Sequence, residues 1–281
     1  MKSSKIEFCT DSWNPVTGCL YDCPYCYAKS IAHRYGGHKT LEYYMALERP
    51  IDTSVFRVLE TPVLNELNRQ KESYPFLFAP TYERYRHDEF DRAARKAPGN
   101  VFVCCMGDLF GSWIESWVIE EVFERVLGAK KHNYLFLTKN PSRYDELTFL
   151  PGGIRPDNMY FGATIDSQGM AKSILEKQIE RLNFLCIEPI LTAVDLGEFL
   201  DYSPGKIEWV ILGAENGNRK GKVVPKTAWL QHVSTVCKSR GIPLFMKRGH
   251  TPAGKLSLLE KALGVDFRQE YPASLAKNAL A

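Results

Sequence analysis

Long apolar runs are missing from this 281-residue chain: nothing in it approaches the length of a membrane span. Its opening stretch, MKSSKIEFCTDSW, has no apolar core of signal-peptide length. Charge of one sign is scarce too. The net charge is +3 and the sequence pI about 8.3, short of the concentrated basic stripe of a dedicated nucleic-acid binder. That balance favours a small-molecule substrate and leaves a nucleic acid open. The chain has no low-complexity tract and no G-x-G-x-x-G fingerprint of a dinucleotide site. With no leader, the eight cysteines point to a reducing, cytoplasmic setting in which thiols stay free, not to a disulfide framework. Hydrophobic content of 44% and aromatic content of 12% are ample for a core, and single α/β barrels commonly reach this length.

From residue 100 onward, short apolar runs alternate with amphipathic stretches. The runs read as buried strands: Val101–Cys105, Tyr134–Leu137, Met159–Ala163, Asn183–Ile187, Trp209–Leu212 and Pro243–Met246. Between them, Val118, Val122, Phe123, Val126 and Leu127 share a helical face stopped by Gly128. Ile174, Leu175, Ile179 and Leu182 repeat the pattern, as do Trp229, Val233, Val236 and Cys237 between Pro225 and Gly241. A first strand falls near Ile6–Thr10 or Pro15–Gly18, and a first helix near Ala28–Tyr35. Strands recurring after helices imply right-handed parallel βαβ units. The expectation is a single α/β domain, a partial or near-complete parallel (β/α) barrel of six to seven units. Residues 36–99 read as a helical insertion packed on it, with helical fragments such as Thr61–Lys71 and a solvated helix in YERYRHDEFDRAARK. Residues 248–281 read as an extension of loop, short helix and extended end, poorly ordered at SLAKNALA.

Cys19, Cys23 and Cys26 stand in one short run, GCLYDCPYCYAK. A mononuclear tetrahedral site wants four ligands, usually as two separated pairs. Three clustered cysteines suit three irons of a cubane and leave the fourth iron open. Two alternatives stay in view: a structural zinc site completed by Cys9, and a four-cysteine electron-transfer cluster.

The C-x3-C-x2-C spacing, with Tyr25 before the last cysteine, resembles the radical S-adenosylmethionine superfamily. The stretch WNPVTGCLYDCPYCYAK is similar to a phage-associated radical-SAM family and, more distantly, to spore photoproduct lyase-like proteins. Further landmarks are VFVCCMGDLF, LFLTKNPSRY, CIEPIL, WVILGAENGNRKGK and PLFMKRG. The resemblance implies a barrel enzyme whose [4Fe–4S] cluster, on Cys19, Cys23 and Cys26, reductively cleaves S-adenosylmethionine. The resulting 5′-deoxyadenosyl radical abstracts hydrogen from a substrate. It also implies an external electron donor such as flavodoxin or ferredoxin. The lyase likeness points to a modified nucleobase or nucleoside, for example a 7-deazaguanine derivative, with a nucleic-acid lesion as the alternative. A contrasting reading is a non-catalytic binding module stabilised by zinc or a cluster.

Active sites of parallel barrels gather at the C-terminal ends of strands. Polar residues follow nearly every expected strand here: Asp108, Lys139, Thr164 with Asp166, Glu188, Glu215 and Lys247. They read as the lining of one pocket, with Asp108, Glu188, Glu215 and Lys247 as catalytic candidates. By resemblance, Gly107 and Asp108 hold the amino group of S-adenosylmethionine, although Met106-Gly107-Asp108 departs from the usual Gly-Gly-Glu. Thr164 and Asp166 reach its ribose, Tyr25 flanks it, and Gly213 lets backbone approach a ligand. Lys139, Lys247, Arg248 and the NRKGK loop are candidates for an anion. Cys104 and Cys105, adjacent on a strand, are expected to face opposite ways; an inward thiol reads as a small buried hydrophobe or, as the likeness to spore photoproduct lyase implies, as a hydrogen donor to a product radical. Cys186 and Cys237 read as core cysteines.

Overall fold

A computed structural model describes residues 2–36, 52–65, 68–215, 219, 221–249 and 251–279. Its main sheet has eight strands: β1 (Lys2–Ser3), β2 (Asp11–Trp13), β6 (Asn100–Val103), β7 (Asn133–Thr138), β8 (Met159–Thr164), β9 (Phe184–Ile187), β10 (Trp209–Leu212) and β11 (Leu244–Met246), hydrogen-bonded in that order. Only β1 is antiparallel, on β2. The seven strands from β2 to β11 are parallel and curl into a half-barrel. Among the described residues no ladder joins β11 back to β1 or β2.

Strand period sorts the core into two faces. Val101, Val103, Phe136, Phe161, Ala163, Leu185, Val210, Leu212 and Met246 pack outward with the helices. Their neighbours Phe102, Leu135, Tyr160, Phe184, Cys186, Trp209, Ile211 and Phe245 pack inward. Burial on both faces is why the strands read as continuous apolar runs. The outer layer is α3 (Ser116–Gly128), α4 (Gln168–Glu176), α5 (Leu196–Tyr202), α6 (Thr227–Ser239) and α7 (Leu258–Leu263), after α1 (Tyr27–Tyr35) and α2 (Arg86–Ala93). None of the described helices is long and apolar enough to cross a membrane.

Several expectations are corrected. The first barrel strand is Asp11–Trp13, between the two predicted positions. Its register on Val101–Val103 could not be seen in so polar a tripeptide. Residues just before it turn instead: Phe8 packs against Phe102, Trp209 and Phe245, while Glu7 accepts the N–H groups of Arg248 and Gly249, each at 2.8 Å. The Ile174–Leu182 stretch is helical only to Glu176, since Gln178 takes φ +49° and its amide caps the Leu175 carbonyl at 2.7 Å.

The insertion is only partly helical. Residues 37–51 and 66–67 lie outside the described residues. Of the rest, β4 (Arg57–Leu59) and β5 (Thr81–Glu83) form a small sheet with β3 (Val16–Thr17). Thr61–Lys71 is not a helix: Leu64 bridges Lys71, and the Asn65 and Asn68 side chains accept local N–H groups, the competition that disfavours helix at asparagine. The expected helix in YERYRHDEFDRAARK is α2, whose inner face buries His87, Phe90 and Ala93.

The chain's end is not an extended tail. Helix α8 (Ala273–Ala279) covers the N-terminal end of the barrel. Asn100 donates to the Leu275 carbonyl at 2.9 Å, and Asn133 to that of Ser274 at 3.0 Å. Leu275 is fully buried in the inward cluster, worth about 2 kcal/mol, which helps hold a helix too short to persist alone.

Candidate cofactor and substrate site

A cavity of about 500 Å³ opens at the C-terminal ends of the strands, lined by the cysteine loop on one side and strand ends on the other. This volume falls in the range of small-molecule sites. Cys19, Cys23 and Cys26 all line it, together with Asp108, Lys139, Thr164, Glu188, Glu215 and Lys247. The sequence therefore brings the expected strand ends to the face that carries the cysteines.

Close backbone approach builds the cysteine loop. Gly18, at φ +81°, donates its N–H to the Met106 carbonyl at 2.9 Å and bridges Gly107. A Cβ on Gly107 would lie 2.8 Å from the Gly18 carbonyl oxygen. Gly107 is thus needed where the loop crosses the end of β6, whatever else it touches. Cys26 caps α1, its Sγ accepting the Lys29 N–H at 3.3 Å. Ala28, Ala32, Phe78 and Met106 form an apolar bed under Cys19 and Cys26. Burial, reinforced by Asp108 and the other two cysteines, pushes the Cys19 thiol up to about 12, and burial raises Cys23 as well. A bound cationic metal would reverse that balance and favour thiolates.

Tyr25 fastens the loop to the barrel. Its hydroxyl donates to the Asp166 carboxylate and accepts from Lys139 Nζ at 2.7 Å. Lys139 Nζ also pairs with Asp166 at 2.9 Å and lies 5.3 Å over the Tyr25 ring. Burial alone would raise the Asp166 carboxyl, but bonds from Tyr25, Lys139 and Ser167 outweigh it and hold the group below its ordinary range. Tyr25→Phe is expected to loosen this clasp at a cost of about 1–2 kcal/mol. Thiol-alkylation rates on the metal-free protein should then rise several-fold at Cys23, with Cys237 as an unaffected internal control.

Two candidates already accept hydrogen bonds on both carboxylate oxygens. Asp108, buried, accepts Phe110 N–H at 2.9 Å on one oxygen, and Thr138 Oγ1 at 2.9 Å and Lys139 N–H at 3.1 Å on the other. Burial raises its carboxyl despite those bonds. Glu215 accepts Arg219 Nε at 2.7 Å and the Val223 N–H at 3.1 Å. Residues 216–218 and 220, in the GAENG and NRKGK segments, lie outside the described residues. Glu188 and Lys247 differ: they pair with each other at 2.5 Å across the end of β10, both partly open to the cavity. Gly213 makes the slot for this pair, since a Cβ there would come 2.9 Å from Glu188 Cγ.

The strand ends at Val103, and Cys104 takes φ +58°. Cys104 joins the helix-side core, while Cys105 sits between the inward cluster and the bed of the cysteine loop. Cys237 is a core cysteine; Cys186 is buried yet lines the cavity. Cys9 lies in the inward cluster, its thiol 3.3 Å from Ser4 Oγ, and is not among the lining residues. Sequence reasoning missed Phe8 as a lining residue, and Asn14, whose side chain accepts the Met106 N–H at 3.1 Å beside the loop. Phe8 sits in a polar turn without periodicity. Tyr27, legible in the tyrosine-rich loop, also lines the cavity.

Among the described residues no three His, Cys, Asp or Glu side chains converge as one metal ion would require. Three cysteines lining one cavity from one loop are a soft thiolate donor set of the kind that holds iron–sulfur clusters. No curated protein matches the chain. The model of the family described as a protein of unknown function, DUF5131, matches residues 3–270, and the chain belongs to that family.

Proposed function

We propose that the protein is a radical S-adenosylmethionine enzyme acting on a small substrate. The observation that carries this reading is the position of Cys19, Cys23 and Cys26, on one loop, lining the cavity that the strand ends also line. These three residues would hold a [4Fe–4S] cluster. When bound, that group supplies one electron to cleave S-adenosylmethionine into methionine and a hydrogen-abstracting 5′-deoxyadenosyl radical.

The chain's own residues supply position and exclusion. The Tyr25–Lys139–Asp166 clasp fixes the loop against β7 and β8, and the anchored Asp108 fixes the turn beneath it. Thr164, at the end of β8, lines the cavity and would reach the cofactor's sugar hydroxyls, whereas Asp166, just beyond it, is not a lining residue and accepts bonds from Tyr25, Lys139 and Ser167 on its two carboxylate oxygens. Phe8, Phe102 and Leu137 give the cavity an apolar wall, limiting water that would quench a radical. Glu188 and Lys247 face the space left for substrate. The proposed reaction is of the lyase type on a modified nucleobase or nucleoside, with an external flavodoxin or ferredoxin as electron source and a (β/α) barrel of the superfamily type as scaffold.

Metal analysis tests the first step. Anaerobic reconstitution should load about four irons and matching sulfide per chain. One equivalent of zinc, retained against iron and sulfide, would sink the proposal.

A further inference from the structure

The carboxylates lining the cavity differ in what they have left to offer. Both oxygens of Asp108 and both of Glu215 are taken by N–H and O–H donors of the chain. Glu188 gives one oxygen to Lys247 at 2.5 Å. Among the described residues, its Oε2 accepts from the Cys186 thiol at 3.9 Å, a weak donor. The lining cations are equally uneven. Lys139 is held between Tyr25 and Asp166, Arg219 lies on Glu215, and Arg34 is exposed at the rim. Lys247 has three N–H donors and gives one to Glu188, with the Phe8 ring face 5.6 Å away. The two side chains are 20% and 16% exposed, and that exposure opens on the cavity they both line. An acceptor and a donor therefore stand side by side, on a pair with no net charge.

We infer that the Glu188–Lys247 pair recognises a neutral cis-amide edge, an N–H beside a C=O, as in a heterocyclic lactam or a primary carboxamide. The inference rests on the substrate reading of this cavity and narrows its class. A carboxylate ligand would gain Lys247 and meet repulsion from Glu188; an ammonium ligand would meet the reverse. A neutral cis-amide satisfies both, its N–H donating to Glu188 Oε2 and its carbonyl accepting from Lys247. Polar groups built to hydrogen-bond a ligand discriminate strongly against analogues lacking that group, because they are left unpaired. The slot is built for the pair: Glu188 follows β9, Lys247 follows β11, and the intervening Gly213 has no Cβ to obstruct the carboxylate.

The test is equilibrium binding to the reconstituted full chain by calorimetry. The probes are uracil, benzamide, 1,3-dimethyluracil, benzoate and benzamidine. Uracil or benzamide should bind at least about tenfold tighter than the three others. Preference for uracil assigns the edge to a lactam, and preference for benzamide to a carboxamide. Glu188→Met, Lys247→Met and Gly213→Ala should each erase the selectivity. Gly213→Ala does so by displacing Glu188 while both functional groups stay in place, and thermal unfolding confirms that each variant folds. A purely structural ion pair would lower the melting temperature in the two Met variants and leave ligand selectivity unchanged, overturning the inference. Equal or tighter binding of dimethyluracil, benzoate or benzamidine, or no binding of either amide at millimolar concentration, would also overturn it. Iron content and 5′-deoxyadenosine release in the same preparation keep the two readings apart. Adenosyl cleavage without amide selectivity removes only this inference, and amide selectivity without cleavage removes only the radical assignment.

Discussion

Cys23→Ala is expected to abolish cluster binding and adenosyl cleavage while leaving the barrel folded. Cys23 is half-buried and free, and its loop is held by other means: the Gly18–Met106 bond, the Cys26 cap and the Tyr25 clasp. Removing one partly buried thiol from such a loop costs about 1 kcal/mol, ordinary for a single substitution. The chemistry has no such reserve, because a cubane with only two protein thiolates is not retained at its site. Visible absorption and electron paramagnetic resonance of the reconstituted variant should show no cluster, with a melting temperature within a few degrees of the parent. A metal-stabilised binding module behaves oppositely: structural zinc contributes roughly 10–16 kcal/mol to folding, so losing one ligand there would unfold the protein.

The second large effect is on stability. Gly18→Ala is expected to cost about 4 kcal/mol or more, the exceptional range for one substitution. Gly18 sits at φ +81°, and its missing Cβ would lie 2.2 Å from the Ala79 carbonyl oxygen and 2.6 Å from that of Phe78. Those are backbone atoms, which cannot swing aside as a side-chain tip can. A drop in melting temperature of roughly 10 °C should follow, together with loss of metal binding, because Cys19 is the next residue. Gly241 supplies the control. It too has positive φ, +63°, but open space where a Cβ would go, so Gly241→Ala should cost only about 1–2 kcal/mol. Equal losses at the two positions would show that the Gly18 contacts carry no weight.

The strands of the barrel were legible because burial on both faces leaves unmistakable apolar runs. Trp209–Leu212 matches the predicted range, and the others shift by a residue or two at their ends. Elements held by non-local contacts were not legible. The SLAKNALA segment looks like a frayed end until Asn100 and Asn133 are seen donating to its carbonyls. Asp11–Trp13 becomes a strand only through its register on β6. At the site, position along the chain identified the lining but not the capacity of each group. Asp108, Glu188 and Glu215 look equivalent as carboxylates after strands. Only the fold shows that backbone N–H groups, the Thr138 hydroxyl and the Arg219 guanidinium occupy both oxygens of Asp108 and Glu215, and that Glu188 faces Lys247. In the sequence Gly213 looks like a point of ligand approach; in the fold the nearest neighbour of a Cβ there is the Glu188 side chain.

The central claim is that Cys19, Cys23 and Cys26 hold a cluster that cleaves S-adenosylmethionine. The most direct test is to add dithionite to the anaerobically reconstituted protein with S-adenosylmethionine and quantify 5′-deoxyadenosine and methionine by mass spectrometry. Equimolar formation of both, absent from the Cys23→Ala variant, is the predicted result. Intact S-adenosylmethionine after reduction of protein carrying its full complement of iron and sulfide would contradict it.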